Sequence, residues 1–223
     1  MNAREKILAK IRHSLQRDDL TIEQVQIMRN RYTEQPRGIL PDRAKITKDE
    51  LITLFVDRAQ QASAIVETVT NFKAAPAKIA ALLTQEELTG GICIASDPDL
   101  KLLSWGHNLS VRYGAADQND QVSVTKCLCG VAETGTLVLI SSQQSPTTLN
   151  FLPAVHIVLL ATEDIVSYYE DAWDLIRAMS HLPRTVNFIT GPSRTGDIEQ
   201  KIQVGIHGPK KLCILLYKKD SIL

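Results

Sequence analysis

One short segment, ITGPSRTGDIEQKI, places turn-forming, hydroxyl and charged residues directly after an apolar run. We predict a strand that ends at Thr190, a turn at Gly191-Pro192, and a helix over DIEQKI. Free backbone N–H groups at a helix N-terminus attract anions, and an arginine guanidinium adds two parallel donors for a carboxylate or phosphate. The segment therefore predicts an anion site formed by Ser193, Arg194, Thr195, Gly196 and Asp197.

A structural interpretation of the same segment stays open. Ser193, Thr195 and Asp197 are all good helix caps, and Arg194 can pair with a neighbouring carboxylate. His207 lies between glycines in GIHGP, shortly before the last apolar run. Its imidazole is suited either to carrying a proton or binding a ligand, or to a hydrogen bond with a loop carbonyl.

A second polar segment, AETGT, interrupts the apolar runs of CGVAETGTLVLISS. A carboxylate among buried strands is costly unless it is paired or used, so Glu133 is either satisfied by nearby donors or placed for catalysis. In a strand, Thr134 and Thr136 share one face, and Gly135 lies on the other face with Glu133. Closure of a hairpin or bulge by Gly135 is the structural alternative.

The elements that position these segments alternate between strands and helices after residue 45. The strand-like runs include GGICIAS, QVSVTKCLCG, LPAVHIVLLA and KLCILLY, and the helical ones include TKDELITLFVDRAQQA, with a capping box, and TEDIVSYYEDAWDLIRAMS. This order predicts an α/β fold, with a mainly parallel sheet, helices on both faces and ligands at the carboxyl ends of its strands. Residues 1–45 predict a helical arm and linker, and residues 46–223 the α/β domain.

The composition argues against several classes of function. Lys+Arg and Asp+Glu both number 25, so no basic surface for nucleic acid is expected. The chain has no apolar run of about 20 residues for a membrane span, and its start lacks a secretory signal, so we expect a cytoplasmic protein. The four cysteines lack the spacing of an iron–sulfur or other metal site and are expected to be buried and reduced. We interpret His156, in an apolar strand, as a core histidine with satisfied hydrogen bonds.

Three segments in this order, GVAETGTLVL, LPAVHIVLL and GPSRTGDIEQKIQVGIHGPKKLCILLY, resemble the lactate utilisation protein C family, whose members carry a LUD domain. The resemblance extends to the first helix, REKILAKIRHSL, and so spans nearly the whole chain. One departure is Gly196, where we expect the family to carry alanine more often.

The resemblance implies a fold like the NagB/RpiA/CoA-transferase group. It also implies an accessory subunit for the oxidation of L-lactate to pyruvate, together with two partner proteins that carry the iron–sulfur clusters. This chain is then expected to hold no cofactor of its own and to bind a small carboxylate or phosphate, with a homo-oligomer as one option. We expect the AETGT and GPSRTGDI loops to converge at one edge of the sheet, so that Thr134, Gly135 and Thr136 join the residues of the GPSRTGDI loop in the anion site. Class I CoA-transferases use a glutamate in a Glu-x-Gly segment as nucleophile, which Glu133-Thr134-Gly135 resembles. A transferase with Glu133 as nucleophile, and a non-catalytic scaffold, are the alternatives.

Overall fold

The structure is a computed structural model that describes residues 2–34, 37–88, 91–107, 109–198 and 201–219. The chain separates into two compact units, Met1–Leu40 and Pro41–Leu223. Within the described ranges, no helix has both the length and the apolar character needed to cross a membrane.

The first unit contains two helices, α1 (Ala3–Ser14) and α2 (Ile22–Glu34), which agrees with the helices predicted for the arm. Asn2 and Glu5 form a capping box at the start of α1, because each side chain accepts a hydrogen bond from the other residue's backbone N–H. No residue of α1 is buried, and apolar side chains such as Ile7 remain exposed.

The second unit is an α/β domain. The predicted capping box at its first long helix is confirmed, since the N–H and hydroxyl of Thr47 both donate to Glu50. Its helices are α3 (Lys48–Gln61), α4 (Ala75–Gln85), α5 (Pro98–Lys101), α6 (Thr148–Phe151) and α7 (Tyr169–Arg177), with 3-10 turns at Asp42–Ala44, Phe72–Ala74 and Thr162–Asp164. Its strands are β1 (Ile65–Thr68), β2 (Ile92–Ile94), β3 (Val111–Tyr113), β4 (Val122–Lys126), β5 (Cys129–Val131), β6 (Thr136–Ile140), β7 (Val155–Ala161), β8 (Ile165–Val166), β9 (Val186–Ile189), β10 (Arg194–Ile198), β11 (Lys201–Val204) and β12 (Lys211–Tyr217).

The central sheet is parallel throughout, with the strand order β1-β12-β7-β4-β2-β3 over the described residues. Ile79 of α4 and Leu100 of α5 share one apolar cluster with Ile157 of β7, so these helices cover one face. Because side chains alternate along a strand, Leu160 of β7 lies on the opposite face from Ile157. There Leu160 and Phe55 of α3 both lie against Gly130. The predicted α/β class, with a mainly parallel sheet and helices on both faces, is confirmed.

A second, smaller sheet has the order β8-β5-β6-β9. Its β5–β6 and β6–β9 pairs are antiparallel, and β5–β8 is parallel. Helix α7 packs on it through Ala172 and Ile176, which cluster with Cys129, Val131 and Val138. The second sheet therefore has its own apolar layer. The AETGT segment connects its strands β5 and β6, and the GPSRT segment follows its strand β9 and leads into the separate β10–β11 sheet.

Two long predicted elements are divided in the structure. QVSVTKCLCG forms β4 in the central sheet and β5 in the second sheet, because the chain changes sheets at Cys127 and Leu128. TEDIVSYYEDAWDLIRAMS begins with a 3-10 turn and with β8, and only Tyr169–Arg177 is α-helical. Ile165 and Val166 pair with β5, so tertiary strand pairing overrides the helical pattern there.

The helix predicted over DIEQKI is wrong. Residues 194–198 and 201–204 form the antiparallel hairpin β10–β11, with an irregular register between Thr195 and Ile198. The following run, KIQVGI, alternates polar and apolar residues with β-branched side chains, which is the strand period that the prediction overlooked. The anion site therefore has no helix N-terminus, and Asp197 does not cap one.

Candidate functional site

A cavity of about 280 Å³ lies at the amino ends of β7 and β12. His156 and Leu212, each the second residue of its strand, form part of its wall. The loop after β9, the turn before β12 and the end of α6 complete it. This cavity does not lie at the carboxyl ends of the central strands, where we expected ligands to bind, because the loop follows a strand of the second sheet rather than one of the central parallel strands.

The loop of the GPSRT segment is held in place by its backbone. Gly191 has a φ of +70°, and a Cβ added there would lie 2.1 Å from the carbonyl oxygen of Ala62, so only glycine fits this turn. Ser193 N–H donates to the Pro209 carbonyl at 2.9 Å, and Gly205 N–H donates to the Ser193 carbonyl at 3.0 Å. These bonds fix the loop beside the turn that contains His207.

The deep end of the cavity contains two buried polar side chains, His156 and Asn150. His156 is fully buried, and its Nε2 lies 2.8 Å from Thr125 Oγ1. Its Nδ1 has no hydrogen-bond partner among the described residues, and neither has Oδ1 of Asn150, which is 3% exposed. Burial lowers the pKa of His156 to about 3, so the ring is neutral near pH 7.

The interpretation of His156 as a satisfied core histidine is therefore only half correct. The ring is in the core and one nitrogen is bonded, but the other nitrogen is left without a partner. Nearly all buried polar atoms in folded proteins have partners, so such an exception needs an explanation. Asn150 was not predicted at all, because nothing in TTLNF distinguishes it from an ordinary helix-end asparagine.

The outer part of the cavity carries the predicted residues Ser193, Arg194 and His207. The Arg194 guanidinium donates to the hydroxyl of Ser63, a neutral partner. Among the side chains that the structure describes, which do not include Asp197, no carboxylate lies at ion-pair distance from Arg194, so the pairing considered in the structural interpretation is not observed there. His207 is exposed at the rim. Counting only the described side chains, the positive charge of Arg194 at the outer part of the cavity is thus not paired with a carboxylate.

The remaining residues of the GPSRT segment lie away from this cavity. Thr195 and Gly196 continue along β10 and are not among the residues that line it, and the predicted role of Asp197 falls on a side chain outside the described ones. An added Cβ at Gly196 would meet no atom within 4 Å, so this glycine is not required by packing.

The AETGT segment forms the turn between β5 and β6, and its hydroxyls are bonded to one another. Thr136 Oγ1 lies 2.7 Å from Thr134 Oγ1, 2.8 Å from the Tyr169 hydroxyl and 2.6 Å from Thr190 Oγ1. Because Thr190 lines the cavity, the Thr136 contact joins the two polar segments. Thr134 and Thr136 support the wall from behind rather than facing the cavity.

Glu133 and Gly135 are committed to contacts inside the domain. Glu133, whose side chain is 9% exposed, pairs with Arg43 at 2.5 Å and does not line the cavity. Gly135 has a φ of +67°, and an added Cβ would lie 2.3 Å from the backbone nitrogen of Ala59. Arg43 was not anticipated, because it lies 90 residues before Glu133 in the sequence.

A second cavity, of about 350 Å³, lies at the carboxyl ends of the central strands, beside Tyr217. Its two lysines are both compensated by carboxylates of the domain. Lys126 pairs with Asp99 at 2.5 Å, and Lys219 with Asp164 at 2.6 Å. The cavity at the amino ends is therefore the better candidate for binding an anion.

The predicted burial of the cysteines is confirmed for three of the four, since Cys127 is half-buried, and no disulfide joins them. Cys93, Cys129 and Cys213 are buried, and burial raises their thiol pKa values to about 11, 12 and 11. Over the part of the chain that the structure describes, no group of three or more His, Cys, Asp or Glu residues is arranged to hold a metal ion.

Comparison with known proteins places this geometry in context. A family model described as the LUD domain matches residues 100–217. An uncharacterised protein of Neisseria meningitidis is 39% identical over 95 residues, 42% of this chain and 41% of the relative. Lactate utilization protein C of Anoxybacillus flavithermus is 42% identical over 81 residues, 36% of each chain, and that of Bacillus subtilis 36% over 99 residues, 43% of this chain and 41% of the relative. The chain thus spans less than half the length of these curated relatives.

A solved structure supports the fold. The crystal structure of a DUF162 family protein from Deinococcus radiodurans superposes with a TM-score of 0.61, covers 77% of this chain and 99% of that protein, and is 17% identical. At this identity the likeness concerns the fold alone.

Proposed function

Because this chain belongs to the LUD domain family, we propose that it acts in lactate utilisation, as an accessory subunit of a system that oxidises L-lactate to pyruvate. Relatives from Anoxybacillus flavithermus and Bacillus subtilis carry the name lactate utilization protein C. The oxidation releases two electrons and two protons. In this proposal the electrons pass to iron–sulfur clusters on two partner proteins, and this chain binds the small carboxylate.

The observation that carries the proposal is the positive charge of Arg194 at the cavity. Among the side chains that the structure describes, its guanidinium donates to a neutral hydroxyl, Ser63 Oγ, and no carboxylate pairs with it. A guanidinium binds a carboxylate through charge-assisted hydrogen bonds, and hydrogen bonds to charged groups contribute about 1.5–3 kcal/mol. Ser193, beside it in the cavity wall, supplies a hydroxyl for the same anion.

The cavity also separates the two ends of a bound acid. Arg194 is exposed, whereas His156 at the deep end is fully buried. A carboxylate held by Arg194 thus retains contact with solvent at the rim, and the rest of the molecule extends towards the buried end of the cavity. This polarity favours a short acid with its charge outward, because burial of the carboxylate itself is costly.

The function is tested by co-expression of the two iron–sulfur partners with and without this chain, followed by L-lactate-dependent reduction of a dye. We expect activity only when the chain is present. Equal activity of the partners alone contradicts the accessory role.

The site is tested by calorimetry with L-lactate on the purified chain. We expect Arg194→Ala to weaken binding by about 1.5–3 kcal/mol, the range for charge-assisted hydrogen bonds. Arg177→Ala is the matched control, because it removes the same charge from an exposed arginine that is paired with Asp174 and lies outside the cavity. Unchanged affinity in Arg194→Ala removes this residue from the site.

A further inference from the structure

The two unpartnered atoms at the deep end of the cavity, His156 Nδ1 and Asn150 Oδ1, belong to side chains that line the same wall. Both residues are at least nine-tenths buried, so bulk water does not satisfy them. A buried polar atom without a partner destabilises the folded protein, whereas an apolar side chain of similar shape would not. The pattern is that expected when a ligand supplies the missing partner.

The hydrogen-bond chain on the other side of the ring determines what His156 offers. Thr125 Oγ1 is buried, and among the described residues it forms a hydrogen bond with His156 Nε2 at 2.8 Å. A buried hydroxyl donates where an acceptor is available, so we assign the Thr125 proton to the bond with Nε2. In the neutral ring the other nitrogen then carries the proton, and Nδ1–H is a donor.

His156 and Asn150 together therefore require a ligand group that both accepts and donates a hydrogen bond. His156 Nδ1–H needs an acceptor, and Asn150 Oδ1 needs a donor. A hydroxyl group does both, a keto oxygen satisfies only the histidine, and a methyl group satisfies neither.

We infer that His156 and Asn150 bind a hydroxyl group of the ligand, so that the cavity is selective for short 2-hydroxy acids over acids that lack the hydroxyl. This inference rests on the proposed function, because it takes the carboxylate to lie at Arg194. The two buried residues are then specificity determinants, and Arg194 provides affinity for acids in general. The volume of about 280 Å³ lies just below the range of about 300–1,000 Å³ for small-molecule sites, which suits a short acid.

The direct test compares ligands on the unaltered chain, which avoids any question of folding. Calorimetry is performed with L-lactate, pyruvate, propionate and inorganic phosphate at one pH and ionic strength. We expect L-lactate to bind at least about tenfold more tightly than propionate, with pyruvate between them, because each unsatisfied buried group weakens binding.

The outcomes distinguish this inference from the proposed function. Equal affinity for L-lactate and propionate overturns the hydroxyl inference and leaves the carboxylate site intact. Binding of phosphate without any carboxylate also overturns it. Absence of binding by all four compounds overturns the proposed site together with the inference.

Variants then assign the selectivity to the deep end of the cavity. His156→Gln places an amide near the position of Nε2, so the bond with Thr125 is kept and the donor at Nδ1 is lost. We expect this variant, and Asn150→Leu, to bind L-lactate only as well as propionate, with propionate affinity unchanged. Arg194→Ala should instead weaken both acids by the same factor.

Folding of each variant is monitored by its thermal unfolding midpoint. A variant that folds and retains the full L-lactate to propionate ratio removes its residue from the selectivity. If neither His156→Gln nor Asn150→Leu folds, the comparison of ligands on the unaltered chain still decides whether the cavity selects for the hydroxyl group.

Discussion

The AETGT turn and the GPSRT loop carry similar residues but differ in where their polar groups find partners. In the turn, Glu133 pairs with Arg43, and the threonine hydroxyls bond one another, Tyr169 and Thr190. In the loop, the described partner of Arg194 is a neutral hydroxyl, and the residue lies in the wall of a cavity whose buried polar atoms lack partners among the described residues. The polar side chains of the turn have partners within the domain, whereas the loop borders a cavity that holds two buried polar atoms without a partner among the described residues.

The difference shows that residue type alone does not identify a functional segment. Hydroxyl, carboxylate and glycine residues serve a structural turn as well as a binding loop. The distinguishing property is whether a polar group already has its hydrogen-bond partners within the fold, because a group that has them is not available to bind a ligand. The three predictions below test this distinction, beginning with the largest expected effect.

The first prediction compares a glycine from each segment. Gly135→Ala combines a positive φ with a contact of 2.3 Å to the Ala59 nitrogen, so we expect a loss of about 3 kcal/mol or more in unfolding free energy. Gly196→Ala meets no atom within 4 Å, and its effect should stay within about 0.5 kcal/mol. Urea unfolding monitored by circular dichroism measures both. Similar losses in the two variants would contradict the assignment of the AETGT turn as the structurally required segment.

The second prediction concerns the buried histidine of the cavity. The pKa of His156 is about 3 in the folded chain, below the unfolded value of about 6.5, so the unfolded state binds more protons between these values. Stability should therefore fall as the pH is lowered from 6.5 towards 3. We expect a loss of about 1.5 kcal/mol between pH 6.5 and pH 5 from this group, measured by urea unfolding at each pH.

The control for this pH dependence is His156→Gln, which does not titrate in that range. Its unfolding free energy should change less than that of the unaltered chain over the same interval. Identical pH profiles for the two proteins would show that His156 is not buried as a neutral ring.

The third and smallest effect is expected for Glu133→Gln. The partner Arg43 is half-exposed, with a side-chain exposure of 55%, so loss of the ion pair should cost about 1 kcal/mol or less. Because Glu133 lies outside the cavity wall, L-lactate affinity should be unchanged. Mass spectrometry after incubation with acyl-CoA tests the transferase alternative directly. A covalent adduct on Glu133 that disappears in Glu133→Gln would establish the alternative and contradict a purely structural role.

The sequence predicted individual helices and strands better than it predicted which sheet each strand joins. The capping box of Thr47 and Glu50, and the buried strand β7, follow from local patterns of a few residues. The division of QVSVTKCLCG between two sheets does not, since both halves are apolar and buried. The β10–β11 hairpin was mistaken for a helix, because capping residues at its start outweighed the alternation that follows.

For the candidate site, the sequence located the loop but not the deep end of the cavity. Gly191-Pro192 and Arg194 were identifiable from turn chemistry and charge, and both line the cavity. His156 was visible as a histidine in an apolar strand, but this pattern is shared by satisfied core histidines. Its unpartnered nitrogen becomes evident only when the neighbouring strands are in place.

By itself, the sequence determined the alternation of strands and helices, the turns at special glycines and the polar segments available for binding. These properties depend on neighbours a few residues apart, where periodicity and backbone preferences act. Only the tertiary structure decided which polar groups are satisfied, because those contacts join distant parts of the chain. Glu133 meets Arg43 across 90 residues, Thr136 meets Thr190 across 54, and His156 meets Thr125 across 31. The hydrogen-bond and ion-pair partners of these side chains, and with them the difference between the turn and the loop, are therefore determined only when the sheets pack.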